Sequence, residues 1–275
     1  IYPPFILMEN VPGIDTEFNA NILNEFLSRL KNEQGQPKEK YHVVKAVLNS
    51  ANYGVPQQRK RFVLHGVRMD VYNELQTYGI AFELPVPTHD KSGKNNLPLW
   101  VTVKAAIDDL PRINAGESYD GPLPFYNHKC AALSEENLEK IRYIRANGGS
   151  RDCLPDSMVL ACHKKKNENG ETFKGHNDVY GIMDATKPAP TMTGGCLCYS
   201  KGRYGHYSQD RALSIREAAR IQTFPDDFIF SDSLTQAALQ IGNAVPVKLV
   251  EASGKIFIDV IEKLRKAKRR KAKKK

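Results

Sequence analysis

Long apolar runs are missing from this 275-residue sequence. A helix needs about 20 consecutive apolar residues to cross a bilayer, so we expect no membrane-spanning segment. The opening residues also lack a basic segment followed by an apolar one, which is the pattern of a secretory signal peptide. Membrane proteins and proteins with a recognisable secretory signal are therefore outside the classes that the sequence predicts.

Cysteine is scarce, and its arrangement excludes two further classes. An odd number of cysteines in a chain of this size favours a reducing compartment over a disulfide scaffold. The pair Cys196 and Cys198 lies near His206, but its spacing is not that of the Cys-x-x-Cys knuckles that bind zinc. We therefore predict no metal site. The five cysteines are Cys130, Cys153, Cys162, Cys196 and Cys198.

The net charge of +9 comes from one end of the chain. Nine of the last eleven residues, Arg265 to Lys275, are Lys or Arg, and removing these nine from 40 basic residues leaves 31 against 31 acidic ones. The remainder of the chain is therefore formally neutral. Such a tail suits weak, salt-dependent binding of polyanions, a solubilising end or a nuclear import signal, and the sequence leaves these open.

The pattern of apolar residues predicts an α/β domain at the beginning of the chain. A short strand over Ile6 to Val11 stops at Pro12 and Gly13, and apolar residues then recur at helical spacing from Phe18 to Leu30. Two Val-rich strands follow, over His42 to Leu48 and Arg61 to Val67. Strand, helix, strand in this order is typical of layered α/β domains.

Proline, glycine and polar residues dominate from about Leu84 to Gly202, where we predict short strands, loops and two helices. The helices are expected over Val103 to Leu110, capped by Thr102, and over Glu135 to Asn147, capped by Ser134. Regular structure returns with a capping box at Ser214 and Glu217. A last helix follows Pro246, with a predicted buried stripe of Val250, Ser253, Phe257, Val260 and Leu264.

Four stretches carry a resemblance to a known family. They are Glu9-Asn10-Val11, Tyr53 to Arg61 (YGVPQQRKR), Arg211 to Pro225 (RALSIREAARIQTFP) and Gln240 to Pro246 (QIGNAVP). In order and spacing they resemble the later motifs of the DNA cytosine-5 methyltransferases, and the resemblance extends from about Phe5 to Phe257. It implies an enzyme that uses S-adenosylmethionine to methylate C5 of a cytosine flipped out of duplex DNA, as in restriction-modification.

The resemblance also implies the domain arrangement. We expect part of a Rossmann-like methyltransferase sheet together with a smaller, irregular and mainly β target-recognition domain. The expected boundaries are 1–80 for the catalytic α/β portion, 81–212 for target recognition, 213–262 for helices that return to the catalytic domain, and 263–275 for the basic tail. Within the third of these segments, we expect Arg216, Glu217 and Arg220 to stabilise the fold.

Glu9, Arg59 and Arg61 are the catalytic residues that the resemblance implies. When a thiolate adds to C6 of cytosine, charge builds on the ring, and an acid beside N3 relieves it. Glu9 matches that acid, at the carboxyl end of its strand. Arg61 would hold the target base through its forked donors, and Arg59 would support the site. Each also has an ordinary interpretation, as a turn carboxylate or as a surface ion-pair partner.

Asn243, Ala244 and Val245 match the turn that lies against S-adenosylmethionine in the family. The ordinary alternative is a helix N-terminus with Asn243 as its cap, and both interpretations can hold together. For the DNA contacts we select Arg151, Lys201 and Arg203, which lie in Lys-, Arg- and Ser-containing loops suited to phosphates and base edges. Each of these three is equally compatible with a solvated surface charge.

Two of the family's elements have no counterpart in these residues: the glycine-rich cofactor loop and the nucleophile, a Cys directly after Pro. We therefore expect that an N-terminal half or a complementary subunit supplies them, and that the chain is inactive without this part. We also expect the chain alone to expose an apolar surface that this part would cover. A non-catalytic DNA-binding remnant and an RNA cytosine-5 methyltransferase are the alternatives. The expected location is intracellular, with the cytoplasm or nucleoid for a bacterial or phage protein and the nucleus possible because of the tail.

Overall fold

The computed structural model of this protein describes residues 2–31, 40–121, 125–160 and 178–273, so that Cys162 and the last two lysines lie outside it. The chain divides into two compact units. The first comprises Ile1–Gly54, Arg59–Pro98 and Lys248–Lys275, and the second comprises Val55–Gln58 and Leu99–Val247. No helix among the described residues combines the length and apolar character needed to cross a membrane.

The first unit is built on a three-stranded antiparallel sheet. Its strands are β1 (Phe5–Asn10), β2 (Tyr41–Asn49) and β3 (Lys60–Arg68), arranged in the order β1-β3-β2. The central strand β3 is buried on both faces from Phe62 to Val67, because both faces of the sheet are covered. The three strands confirm the sequence prediction to within one residue at each end.

Helices cover the two faces of this sheet. Helix α1 (Ala20–Lys31), which follows a 3-10 turn at Glu17–Asn19, packs on the face that contains Phe62 and Leu64. On the opposite face, Val67 packs with residues of α2 (Met69–Thr77), with Phe82 and with the last helix. The first unit is therefore a mixed α/β layered structure, as predicted, with Glu9 near the carboxyl end of an edge strand.

The last helix, here numbered α7, runs from Val247 to Ala272. Ser253 and Val260 are buried, and Phe257 and Leu264 pack against the same cluster, as the predicted stripe requires. The prediction was wrong for Val250, which is 41% exposed. Leu249 takes its place, because a residue one position away on a helix points about 100° from its neighbour.

The second unit consists of short helices and loops around one main core. Its helices are α3 (Val103–Ile107), α4 (Glu135–Ala146), α5 (Ile215–Ile221) and α6 (Leu234–Asn243). The expected caps at Thr102, Ser134 and Ser214 are present, and Ser214 and Glu217 form the full capping box. The prediction extended α3 to Leu110, but the chain leaves the helix after Ile107, shortly before Pro111.

The expectation of a mainly β recognition domain was wrong for the described residues of the second unit. Extended pairing there is limited to isolated bridges, such as Ile182 with Gly205 and Gly205 with Ala212. Ladders do not lengthen because proline lacks the donor that a ladder needs and glycine disfavours extended strands. The prediction of an irregular domain is correct, but its regular elements are helices and turns rather than strands.

The compact units also divide the chain at different residues from the expected boundaries. The first unit continues to Pro98, where a boundary near residue 80 was expected. Helices α5 and α6 belong to the second unit rather than to the sheet-containing one, and only the chain from Lys248 onward joins the first unit.

Candidate active site

Glu9 and Arg61 meet on one face of the sheet of the first unit. Glu9 lies directly opposite Val63 in the β1–β3 ladder, so Arg61, two residues from Val63, is its diagonal neighbour on the same face. The distance from Glu9 Oε1 to Arg61 Nε is 2.6 Å. The sheet register therefore brings together the two residues that the sequence assigned to the target base.

This pair is mostly withdrawn from solvent: the side chains of Arg61 and Glu9 are 12% and 21% exposed. Glu9 Oε1 is enclosed and is not aligned with any donor as a hydrogen bond, so the contact is an ion pair. Arg61 also donates from a terminal nitrogen to the Lys60 carbonyl, at 2.8 Å. Burial lowers the pKa of Arg61, and the charge of Glu9 acts in the opposite direction.

Arg59 lies one residue before β3 and is buried, with 3% exposure. Its backbone is fixed against Ser50: its N–H donates to Ser50 Oγ at 3.2 Å, and its carbonyl accepts from the Ser50 N–H at 3.0 Å. These two hydrogen bonds join the residue before β3 to the residue after β2. This placement suits a supporting residue, as the sequence suggested, more than one that reaches a ligand directly.

A buried histidine also lies in the first unit, and sequence analysis missed it. His65 is fully buried in the middle of β3, its ring centroid is 4.9 Å from that of Phe257, and neither ring nitrogen has a hydrogen-bond partner. Burial lowers its pKa to about 4. Its only sequence signal is a polar residue within an otherwise apolar strand.

In the second unit, the turn Asn243–Val245 connects α6 to the following segment. Asn243 is the last residue of α6 and is exposed, so it is not the cap of the last helix that was considered as an alternative. Ala244 is extended, its N–H donates to the Ile241 carbonyl, and its own carbonyl accepts from Gln222 Nε2 at 3.2 Å. Ala244 and Val245 are half-buried.

Two buried glutamines hold this turn, and sequence analysis overlooked both. Gln57 Nε2 donates to Gln222 Oε1 at 2.9 Å, and Gln57 Oε1 accepts from the Met192 N–H at 2.8 Å. Gln222 in turn donates to the carbonyls of Ile241 and Ala244. Both amides stand within the recognised motifs, Gln57 in YGVPQQRKR and Gln222 in RIQTFP, and their position in those motifs is the one signal that could have pointed to them.

The three DNA-contact candidates lie in the second unit with different surroundings. Lys201 is exposed, and its alkyl chain lies so close to Gly195 that a β-carbon there would be 2.7 Å from Lys201 Cδ. It lines a cavity of about 320 Å³ together with Ser200 and Asn137. Arg203 forms an ion pair with Asp178 at 3.3 Å, and Arg151 begins a 3-10 turn, Arg151–Cys153.

The segment after Arg211 is structural, as the sequence indicated. Arg211 donates two hydrogen bonds to Glu217, at 2.7 and 2.6 Å, and both side chains are buried. Arg216 is also buried and donates to the carbonyls of Tyr126, Pro225 and Phe228. Buried guanidiniums satisfied in this way fix loops, and they are not available to a ligand.

Comparison with known proteins agrees with the motifs. Residues 1–258 match the C-5 cytosine-specific DNA methylase family, and the chain belongs to that family. It is 34% identical over 273 residues to the Type II methylase M.HgiDII of Herpetosiphon aurantiacus, covering 98% of this chain and 68% of the relative. It is 32% identical to the Type II methyltransferase M.NgoFVII of Neisseria gonorrhoeae, covering 95% of this chain and 61% of the relative.

Solved structures share the fold. A protein described as a DNA modification methyltransferase, encoded in an Escherichia coli prophage, aligns with a TM-score of 0.54 at 24% identity, covering 94% of this chain and 70% of that one. The Dnmt2 methyltransferase of Schizosaccharomyces pombe aligns with a TM-score of 0.50 at 14% identity, covering 94% and 68%. The chain thus spans roughly two thirds of the proteins it resembles.

Proposed function

We propose that this chain is the base-holding and DNA-recognising part of a DNA cytosine-5 methyltransferase, which methylates C5 of a cytosine flipped out of duplex DNA. Family membership supports the reaction class. The observation on which the proposal chiefly depends is the ion pair of Glu9 and Arg61, which are 2.6 Å apart on one face of the sheet. In this proposal the three-stranded sheet is part of a larger Rossmann-like methyltransferase sheet.

The proposed roles follow from the charge that appears on the base. Addition of a nucleophile to C6 sends electron density into the cytosine ring, and Glu9 holds a proton at N3 while this happens. Arg61 keeps the Glu9 carboxyl oriented and donates to O2 of the same base. Arg59 keeps the start of β3 closed against Ser50 and thereby fixes the backbone that carries Arg61.

S-adenosylmethionine supplies the methyl group when it is bound, and the Asn243–Val245 turn is the proposed contact. The backbone N–H and carbonyl of Ala244 are already used within the protein. A ligand would therefore meet the exposed amide of Asn243 and the apolar surfaces of Ala244 and Val245. An amide that both donates and accepts fits a polar cofactor, so these residues are compatible with the group.

The second unit is the proposed target-recognition domain. Lys201 and Arg151 suit contacts with phosphates, which orient a protein on the duplex. Arg203 suits the same role once its contact with Asp178 opens. Which bases are recognised depends on side chains that line the groove, so these three residues are proposed for affinity rather than for sequence choice.

These 275 residues contain no Pro-Cys pair, the form in which the family resemblance expects the nucleophile. We propose that a further segment or a separate subunit provides it together with the glycine-rich cofactor loop. Among the described strands β1 pairs only with β3, so the other edge of β1 is available to a further strand. The 68% and 61% coverage of the first two relatives leaves room for such a segment.

The test is methyl transfer to duplex DNA by the chain combined with a family segment that carries the Pro-Cys pair. We expect transfer with the combined proteins and a loss of about 10²- to 10⁴-fold in rate with Glu9→Gln, the range of a general acid. Glu83→Gln, at an exposed position of the same unit, is the control and keeps the rate.

The same assay decides between the alternatives. An equal drop in rate for both variants, or full activity of Glu9→Gln, contradicts the proposed role of Glu9. Transfer RNA methylated in preference to duplex DNA identifies an RNA enzyme, and DNA binding without transfer identifies a non-catalytic remnant. The two relatives named above are Type II methylases from bacteria, which favours restriction-modification as the setting and gives the nuclear alternative no support.

A further inference from the structure

The basic end of the chain is an ordered helix in the described residues, and it is anchored on one side. Leu264 packs against the cluster that contains Val260. One and two turns further, Lys268 forms an ion pair with Glu74 of α2 at 2.6 Å, and the Lys271 ammonium lies 5.8 Å from the centroid of the Tyr78 ring. These contacts fix which side of α7 is turned toward α2.

Helix geometry then determines where the other basic residues lie. Leu264, Lys268 and Lys271 are spaced by four and three residues, so they share one side of the helix. Of the tail residues that the structure describes, the other five basic ones fall within about 140° on the other side, at about 100° per residue. We name them the outward basic face, and all five are exposed: Arg265, Lys266, Arg269, Arg270 and Lys273.

Acidic residues of α7 neutralise little of the positive charge on the outward basic face. Among the described residues its one acidic contact is Glu262, 3.5 Å from Lys266. Like charges four residues apart, such as Arg265 and Arg269 or Lys266 and Arg270, repel each other along the helix. Anchoring by α2 keeps these charges in place, and an external anion would relieve the repulsion.

The composition of this face identifies the kind of anion. Between Arg265 and Lys273 the other residues are Ala267, Lys268, Lys271 and Ala272, so no large apolar side chain is present to enter a lipid surface. The five charges extend over about 12 Å of helix, at 1.5 Å per residue. Duplex DNA carries about one negative charge per 1.7 Å of its axis, so about seven phosphates lie along this length, enough for each of the five charges to have a partner.

We propose that the outward basic face binds phosphates of duplex DNA, independently of base sequence. The choice of DNA as the partner rests on the proposed function. The face would add a non-specific electrostatic term to the affinity, because each phosphate that it neutralises releases counterions from the DNA. Non-specific binding of this kind would also speed the search for target sites. Lys268 and Lys271 would contribute less, since Lys268 pairs with Glu74 and Lys271 lies over the Tyr78 ring.

The experiment compares two double variants of the full chain that remove the same charge from the same helix. Arg269→Gln with Arg270→Gln alters the outward basic face, whereas Lys268→Gln with Lys271→Gln alters the anchored side. Affinity for a short mixed-sequence duplex is measured at salt concentrations between about 50 and 200 mM. Thermal unfolding of each variant verifies that α7 still folds.

For the outward variant we expect the slope of log K against log salt concentration to become less negative. The change is about 0.9 for each phosphate that the variant no longer neutralises, or up to about 1.8 in total. The anchored-side variant keeps the wild-type slope. Equal changes in both variants overturn the proposal in favour of a diffuse charge effect, and no change in either variant overturns it as well.

A second arm uses vesicles of phosphatidylserine and phosphatidylcholine. If binding to these vesicles is tighter than to the duplex, and the outward variant abolishes it, the face belongs to a membrane surface and the proposal is overturned. The salt slope is independent of methyl transfer. A chain that binds DNA through this face, but gives no transfer when combined with the Pro-Cys segment, would therefore contradict the proposed enzyme function and leave this inference intact.

Discussion

Glu9 and Arg61 stabilise each other in a place where neither charge is well solvated. Removing either partner leaves the other charge partly buried, which costs more than the pair contributes in net terms. Strand register determines the contact, because Glu9 and Arg61 are diagonal neighbours across β1 and β3. The pair therefore couples the stability of the sheet to the proposed site.

We expect a double-mutant cycle with Glu9→Gln and Arg61→Gln to give a coupling energy of about 0.5–3 kcal/mol in the free energy of unfolding. The control is the pair Glu25 and Arg29 on α1, also 2.6 Å apart but 65% and 77% exposed. Its cycle should give less than about 0.5 kcal/mol. Equal coupling in the two cycles would show that burial does not strengthen the Glu9–Arg61 contact.

His65 predicts how the stability depends on pH. Its pKa is about 4 in the folded chain, below the usual value of 6.5, because burial disfavours the charged ring. The unfolded chain therefore binds more protons between these values, and stability falls as the pH is lowered from about 6.5 to 4. His206, whose pKa burial also lowers to about 4, acts in the same direction in the second unit.

We expect His65→Leu to flatten this pH dependence, removing at most about 3 kcal/mol of the fall in unfolding free energy between pH 6.5 and 4. Leucine fits because the ring makes no hydrogen bond and packs against Phe257. Denaturant unfolding at a series of pH values measures the effect. Parallel curves for the variant and the wild type would mean that His65 stays accessible to protons in the folded chain.

Helix α6 depends on a close approach that only glycine permits. A β-carbon on Gly242 would lie 2.2 Å from the Thr193 carbonyl carbon and 2.3 Å from the Gly194 nitrogen, both of them backbone atoms that cannot rotate away. The turn that follows α6 carries Asn243. A shift of α6 would therefore move the residues proposed for the cofactor.

Two helical glycines give a matched comparison. We expect Gly242→Ala to lower the unfolding free energy by about 1–3 kcal/mol, as overpacking does, and to weaken binding of S-adenosylmethionine. Gly254→Ala on α7 has nothing within 4 Å of the new β-carbon and should stabilise by up to about 1 kcal/mol. Calorimetric melting of both variants tests this, and a Gly242→Ala variant as stable as the wild type would contradict the close approach.

The elements that sequence analysis found and missed differ in the strength of their local signals. Strands β1 to β3 and helix α7 are long and periodic, and α5 begins with a complete capping box. Helix α6 was missed because alanines form much of its buried side, although Ser233 caps it through the Gln236 N–H. Helix α2 is short and has a weak apolar pattern.

At the site, sequence could supply residue types but not the contacts between distant positions. Glu9 and Arg61 were recognisable from their motifs, but their 2.6 Å contact depends on which strands pair and in which register. The link from Gln57 to Gln222 joins residues 165 positions apart, and no local pattern encodes it. The proposed roles of Arg151, Lys201 and Arg203 remain predictions for the same reason.

At the scale of the whole molecule, the first unit exposes apolar side chains around the start of α1. Phe18, in the 3-10 turn before α1, is 94% exposed, and Ile22, the third residue of α1, is 64% exposed. Ile22 follows Phe18 by four residues and points about 100° from Leu23, which is buried against the sheet. Exposed apolar side chains that lie together on one surface are typical of surfaces that bind another chain.

This surface is where the proposed additional segment or subunit would contact α1, and it predicts how the chain behaves alone. We expect concentration-dependent association of the isolated chain, reduced when Phe18→Ser is combined with Ile22→Gln. The control is Ile258→Gln on α7, whose side chain is 59% exposed, close to the value for Ile22. Sedimentation velocity measures the association, and melting temperatures verify that each variant is folded.

Comparing the Phe18 and Ile22 variant with Ile258→Gln distinguishes association through one specific surface from non-specific hydrophobic association. Burial of apolar area contributes about 25 cal/mol per Å², so two large side chains on one surface can drive association, whereas one isolated isoleucine cannot. If Ile258→Gln reduces association as much as the α1 variant does, the effect is not localised. If the wild-type chain is a monomer at all concentrations, the exposed side chains of α1 do not drive association, and the outer edges of β1 and β2 become the places to test for the nucleophile-bearing segment.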